Sequence, residues 1–445
     1  PSRILAMAAL VVVLIDPWAA LAPGFWLSFG AVTVLMYAGS GRLRPPSVWR
    51  VWVQAQWAVT LALAPVLLLL FNGVSLVSPL ANAVAIPLIS LVAVPLVLAA
   101  ALLPVDLLAQ AAHAVIAATM VMLDWLATLP EPVWHGARPT WPALVLALVG
   151  VAMLLAPKGI PARWLGALLF LPLLFPRIER PEPGTFWLDV LDVGQGLAVV
   201  VRTAGHAMVY DSGPRYASGE DAGARVVAPF LYGQGINRLD GLVVSHEDSD
   251  HSGGTRSLLA SHAPAWRLSS ASLPGTRRCV AGQVWQWDDV RFEIIHPPAR
   301  YYTQSGFPDN DLSCVLKITG VHGSALLTGD IGRLGELSLI ELAPGELHAD
   351  ILVVPHHGSG GSSMLPFVRA VGPRLALFSV GYRNRFGHPD PEVVGRYRAG
   401  HAAIRRTDLE GALHVAVAGP ELSVETGRQA GRRYWQARQD LTSQR

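Results

Sequence analysis

From its first residue to about residue 176 the chain is a near-continuous series of apolar blocks, which leaves little choice of surroundings. A soluble domain needs polar side chains to make an outside, and this stretch has too few of them. Residues 4–21, 25–39, 50–71, 79–103, 106–128, 142–156 and 161–176 are therefore candidate membrane spans. Crossing ~30 Å of hydrocarbon takes about 20 helical residues, so the first two and last two spans are expected to be tilted, broken or re-entrant. Pro65, Pro87 and Pro95 fall inside the run. Each removes a helix N–H, so each predicts a kink, either harmless or lining a cavity.

The basic residues of the short loops are unevenly placed. Arg3 precedes the first span, Arg42, Arg44 and Arg50 fall between the second and third, and Lys158 and Arg163 between the sixth and seventh. With seven spans these all lie on one side, and only Arg138 lies in a loop on the other. Short loops rich in Lys and Arg face the cytoplasm. The chain after the seventh span is then expected outside the cytoplasmic membrane, although Arg177 and Arg180 argue mildly against it.

From about Glu182 the composition becomes that of a globular domain, long enough to bury a core. The net charge of +2 says little about partners, because the apolar half dilutes it. Cys279 and Cys314 fit neither a CxxC nor a zinc-knuckle spacing. They are expected as two separate buried thiols rather than a disulfide. The chain starts at Pro1 without a signal-peptide pattern and reads as part of a longer protein.

Short β-rich runs occupy 186–192, 196–202, 206–210, 240–244, 289–295, 312–319, 323–328, 350–354, 374–380, 402–406 and 411–417. Helical patterns lie near 253–262, 331–342, 363–371 and 391–399, which predicts sheets covered by outer helices. Four of the runs end alike. "LVVSHEDSDHSGG" empties into His246, Asp248, Asp250 and His251, "LLTGDI" into Asp330, "ILVVPHHGS" into His356 and His357, and "AMVYDSG" into Asp211. Carboxylates gathered this closely would repel and take up protons, whereas one or two divalent cations reverse that cost. If the loop stays extended, residues 246, 248 and 250 project to one side and one loop can serve two metals. A solvated acidic loop with incidental histidines would leave the remote endings unexplained.

The H-x-D-x-D-H run at 246–251, with the strand ending in Asp211, "TGD" and "PHHGS", resembles the metallo-β-lactamase fold. More narrowly, "LDVGQG", "YDSG", "SHEDSDHSGG", "NDLSCVL", "VPHHGSGGS" and "FSVGYRNRFGHPDPEVVGRY" look like the C-terminal domain of ComEC-type DNA-uptake proteins of competent bacteria. "DPWAALAPGFWLSFGAV" and "PLANAVAIPLISL" resemble the competence-channel segment of the same family. The resemblance implies a multi-span α-helical membrane bundle over 1–176, an αββα metallo-β-lactamase-like sandwich over 182–426 and a basic tail over 427–445. It also implies that an OB-like domain and further helices precede this stretch in the family.

By the same resemblance His246 and Asp248 would hold one metal, and Asp250 and His251 the other, together with His356 or His357. Asp330 would bridge the two, and Asp211 would orient the loop rather than bind. The general fold pattern reads H-x-H-x-D-H, so Asp248 stands where a histidine is usual. No histidine precedes "TGD" where one is expected, and "PDNDLSC" offers Asn310 and Asp311 instead. Oxygen donors in place of imidazole favour Mn²⁺ or Mg²⁺ over Zn²⁺, which suits phosphodiester chemistry. Asp250, His251 and His388 are the catalytic candidates. His388 would serve as a general acid or phosphate contact, or merely cap the next helix, and Gln195 would line the cleft.

The implied function is DNA internalisation in natural transformation. A channel in the inner membrane would pass a single strand, and an outward-facing metal-dependent nuclease would degrade the other. DNA-delivery and cytoplasmic translocation partners are implied with it. Two alternatives stay open: a translocator whose soluble domain only binds or guides DNA, and a membrane-anchored hydrolase of some other ester. The tail, with Tyr434 and Trp435 among arginines, suits a nucleic acid, but such a segment is more commonly just solvated.

Overall fold

The computed structural model describes residues 2–40, 47–157, 159–304 and 306–431. Arg42, Arg44 and Lys158 of the charge count lie outside the described residues, as do Tyr434 and Trp435 of the tail. The chain divides into two compact units, 1–178 with 232–235, and 179–231 with 236–445.

Among the described residues of the first unit, three helices are long and apolar enough to cross a membrane: Trp49–Phe71, Ser78–Leu102 and Asp106–Ala127. Shorter apolar helices, Ser2–Ile15, Pro23–Gly39, Trp141–Leu155 and Arg163–Leu174, overlap the runs that looked too short to span. Within Ser78–Leu102 the helix widens into one π-turn, Leu88–Ala93, before resuming at Val94. Pro87 and Pro95 flank that turn, and each lacks the N–H that an α-helical ladder would use. Gly150 and Gly166 let two helices touch through backbone: a Cβ on Gly150 would lie 2.5 Å from the Gly166 carbonyl oxygen. A short antiparallel ladder pairs β1 (Gly73–Ser75) with β2 (Val133–His135).

The second unit is a sandwich of two sheets. The first runs in the order β17-β16-β3-β4-β5-β6-β7-β8. Its strands are β3 (Phe186–Val190), β4 (Val199–Arg202), β5 (Ala207–Tyr210), β6 (Gly241–Val244), β7 (Trp266–Ser269), β8 (Arg277–Arg278), β16 (Leu413–Val417) and β17 (Ser423–Thr426). The second runs β15-β14-β13-β12-β11-β10-β9. It comprises β9 (Gln283–Trp287), β10 (Val290–His296), β11 (Val315–Thr319), β12 (Ser324–Leu327), β13 (Ile351–Val353), β14 (Leu375–Phe378) and β15 (Ala403–Arg406).

Strand residues alternate between two cores, as the two-residue period of a strand demands. Val199 and Val201 point into the core between the sheets, while Ala198 and Val200 point under the helices outside the first sheet. Likewise Ile351 and Val353 face the inter-sheet core and Leu352 faces Leu339, Phe367 and Tyr397 beyond the second sheet. Burial on both faces explains why these strands read as unbroken apolar runs. The layers are therefore αββα.

In both sheets one half is parallel: β5 to β8 in the first, β12 to β15 in the second. Parallel strands finish at a common edge. The endings after β5, β6, β12, β13 and β14 are thus collected at one rim.

The cysteines are not separate thiols. Cys279, just after β8, and Cys314, just before β11, form a disulfide across a sequence separation of 35. Both belong to the inter-sheet core, and the bond ties one sheet to the other. Spacing alone could not show this pairing, because only the stacking of the sheets brings the two positions together.

Candidate metal centre

Asp250, His251, Asp330 and His357 converge so that one ligand atom from each lies within 4.8 Å of all the others. His251 Nε2 is 3.0 Å from Asp330 Oδ1 and 3.2 Å from His357 Nε2. His357 Nε2 is in turn 3.3 Å from Asp250 Oδ2 and 3.6 Å from Asp330 Oδ2. Beside this group, His246 Nε2 lies 3.4 Å from Asp248 Oδ2.

The local chain differs from an extended loop in one respect. Asp250 and His251 ride on a single helical turn, Ser249–Ser252, with Asp248 at its N-cap position. Asp250 therefore reaches the cluster from a helical turn rather than by extended-chain alternation. The turn also brings His251 inward, where it is fully buried, and leaves the Asp248 side chain half exposed. Asp211, His356 and His357 all adopt left-handed backbone, with φ of 58°, 50° and 56°. Side chains rarely take that conformation unprompted, so the surroundings must hold them there.

What holds the imidazoles is a set of acceptors behind them. Asp211 Oδ2 accepts from His251 Nδ1 at 2.8 Å, and the Ser379 carbonyl accepts from His357 Nδ1 at 2.8 Å. Ser245 Oγ donates to Asp211 Oδ2 at 2.7 Å, so its lone pair is left for His246 Nδ1, 3.0 Å away. Each ring thereby carries its proton on Nδ1 and turns Nε2 toward the rim, the tautomer a metal ligand needs. Among the described residues, buried His246 Nε2 finds no hydrogen bond, and buried Asp330 Oδ1 finds none while His251 Nε2, 3.0 Å away, carries no proton. Unpaired lone pairs crowded among carboxylates fit a divalent cation, and the donor set is Asp and His throughout.

The electrostatics agree. Burial would lower the His251 imidazole, but the carboxylates of Asp330 and Asp211 raise it well above its ordinary value. Burial would raise the Asp330 carboxyl, but His251 and His357 hold it well below the usual range. The cluster needs positive charge, which protons or a cation can supply, and the two compete.

The remaining candidates divide. His357 joins the cluster, whereas His356, one third exposed, stops with Nε2 3.8 Å from Asp330 Oδ2. Asp211 is saturated by Ser245 and His251 and orients rather than presents itself to the rim. Asp311 turns away: its Oδ1 accepts from the N–H groups of Gly332 and Gly335, capping the helix Arg333–Leu342. Asn310 opens the short turn Asn310–Leu312. The place near His246 is taken by Ser313, whose Oγ lies 3.4 Å from His246 Nδ1 and accepts from Asp330 N. His388 sits at the mouth, its ring centroid 6.1 Å from that of His356. Burial, then the charge of His357 and His356, lowers its pKa. Gln195 Oε1 accepts from the Gly381 N–H and braces the neighbouring loop. Sequence reasoning missed Ser245, Ser313 and Ser379, since a lone serine beside a ligand carries no pattern of its own.

An αββα sandwich with an Asp/His cluster on its rim defines a metallo-β-lactamase-like domain, and residues 191–381 match the family model of the metallo-beta-lactamase superfamily. Residues 1–159 match the Competence protein family model. Taken over both regions, the chain is a homologue of the ComEC-type competence proteins, with an apolar membrane segment ahead of the metallo-β-lactamase domain. It is 37% identical over 407 residues to Competence protein ComA of Neisseria gonorrhoeae, covering 91% of this chain and 57% of that protein. It is 35% identical over 402 residues to Uncharacterized protein YcaI of Escherichia coli (strain K12), covering 87% and 52%. The chain thus spans about half the length of these curated relatives. Among solved structures, the metallo-beta-lactamase fold protein YhfI from Bacillus subtilis aligns with 54% of this chain and all of its own, at 11% identity and a TM-score of 0.34.

Proposed function

We propose that this chain internalises DNA: the membrane segment passes a single strand, and the soluble domain is a metal-dependent nuclease for the strand that is not imported. The observation that carries the reading is the convergence of Asp250, His251, Asp330 and His357 beside His246 and Asp248, in a homologue of competence proteins. His246 and Asp248 would hold one divalent ion, Asp250, His251 and His357 the other, and Asp330 would lie between. Carboxylates in half of these positions favour Mn²⁺ or Mg²⁺. When bound, such ions supply charge for the phosphoryl oxygens and make a water more acidic. The chain's own part is to fix the donors, through Asp211, Ser245 and Ser379, and to place His388 at the mouth as a general acid or phosphate contact.

The disulfide supports an extracytoplasmic position for the domain, because such bonds persist in oxidising compartments and rarely in the cytoplasm. The loop charges read the same way. The purified chain in detergent should cleave DNA with Mn²⁺ or Mg²⁺, and Asp250→Ala should abolish cleavage. A folded chain inert toward single- and double-stranded DNA under every divalent metal would refute the nuclease.

One observation favours a second reading, in which the domain binds or guides DNA without cutting it. Asp248, the carboxylate 3.4 Å from His246 Nε2, is half exposed and so is weakly held. If DNA uptake is lost in Asp250→Ala/His251→Ala while the parent protein shows no cleavage, that reading prevails.

A further inference from the structure

Between β14 and the helix Pro391–Ala399, the sequence Tyr382-Arg383-Asn384-Arg385-Phe386 takes no part in the metal cluster. Tyr382 is 64% exposed and Phe386 54%, and Arg383 and Arg385 are exposed as well. Two large rings standing in water usually signal a loose loop, but this one is braced. Asn384 Nδ2 donates to the carbonyls of Gly381 and His388 at 3.0 and 2.7 Å. Its Oδ1 accepts from the N–H groups of Phe386 and His388 at 3.2 and 3.0 Å. The rings are thus held outward by a side chain whose every hydrogen bond serves the loop.

Each ring also has a cation over it. The Arg383 guanidinium lies 5.3 Å from the Tyr382 centroid and that of Arg385 4.8 Å from Phe386. Phe386 stacks on His388 at 5.8 Å and 14°. The His388 ring in turn neighbours His356, whose Nε2 is 3.8 Å from Asp330. A strip of alternating rings and cations, with no acid in 381–388, therefore runs up to the cluster.

We infer that this strip grips single-stranded DNA, with unpaired bases stacked on Tyr382 and Phe386 and phosphates paired with Arg383 and Arg385. The inference deepens the nuclease reading and rests on it for the identity of the polymer. Single strands are the fit because their bases have free faces for a ring to cover, whereas duplex bases are already stacked on one another. The arginines serve the backbone irrespective of sequence.

The test is fluorescence anisotropy of a phosphorothioate-linked oligothymidine and of a phosphorothioate duplex, with the full chain in detergent. Tyr382→Ala/Phe386→Ala should weaken single-strand binding at least tenfold, and Tyr382→Trp/Phe386→Trp should restore it. Arg383→Ala/Arg385→Ala should lower the slope of log affinity against log salt by about one to two. Single-strand binding by the double alanine ring variant that equals the parent overturns the proposal, as does an equal loss of duplex binding. Because the probe resists cleavage, the result stands apart from the nuclease. A parent that cuts nothing yet loses single-strand binding in the ring variant refutes the nuclease alone.

Discussion

His251 and His357 face each other with their Nε2 atoms 3.2 Å apart, and each has its Nδ1 already engaged, by Asp211 and by the Ser379 carbonyl. As neutral rings, two imidazoles so fixed cannot hydrogen-bond to one another; a proton added to one Nε2, or a cation between them, relieves the contact. They present two lone pairs to the same point, with Asp330 and Asp250 beside them.

The first expectation concerns Asp211, which never reaches the rim. Asp211→Asn keeps the shape but removes the charge behind His251 and can offer an N–H where an acceptor is needed. Metal affinity should fall about 10- to 100-fold with the fold intact. Calorimetric titration with Mn²⁺, alongside a thermal melt, measures both.

The paired histidines should behave unequally. His357→Ala removes a buried donor of the cluster and should cost most of the metal binding, whereas His356→Ala should leave stoichiometry unchanged. Metal analysis after dialysis separates the two, and equal losses would contradict the geometry.

His296 gives the domain an acid limit. Burial lowers its pKa from 6.5 to about 4, while the Asp311 carbonyl, 2.8 Å from Nε2, opposes the shift. The folded state thus prefers the neutral ring. Its contribution is complete above the unfolded pKa of about 6.5 and is lost as pH falls toward 4, by roughly 3 kcal/mol. Denaturant melts from pH 7 to pH 4 should show His296→Gln with a shallower decline than the parent.

The disulfide should matter more to stability than to assembly of the site. It closes a loop of 35 residues, for which chain entropy assigns about 3–4 kcal/mol. Cys279→Ser/Cys314→Ser should lower the melting midpoint of the soluble domain, and reductant should reproduce the effect in the parent only.

Much of the rim was legible because each contributing strand is apolar until it ends, so its last residues stand out as the first polar ones. That contrast exposed His246, Asp330, His357 and Asp211 together. It could not locate Ser245 or Ser379, whose role lies in one hydrogen bond each. Nor could it separate Asp311 from the donors, since a carboxylate capping a helix and one facing a metal look identical in a sequence. Strand β9 was missed because its turn uses Asp288 and Asp289, at φ of 48° and 65°, where glycine or asparagine is the usual marker. The disulfide was hidden for a similar reason: pairing is decided by which sheets stack, a long-range fact.

Each donor on the rim lies beyond the last residue of its strand, in a turn or a short helix. Their replacement should leave the strand registers and all three cores, one between the sheets and one outside each, untouched. The domain is thus built so that its chemistry can be silenced while its body stays whole. A strain carrying such a protein would test whether the proposed cutting of one strand and the proposed carrying of the other are separable traits under selection.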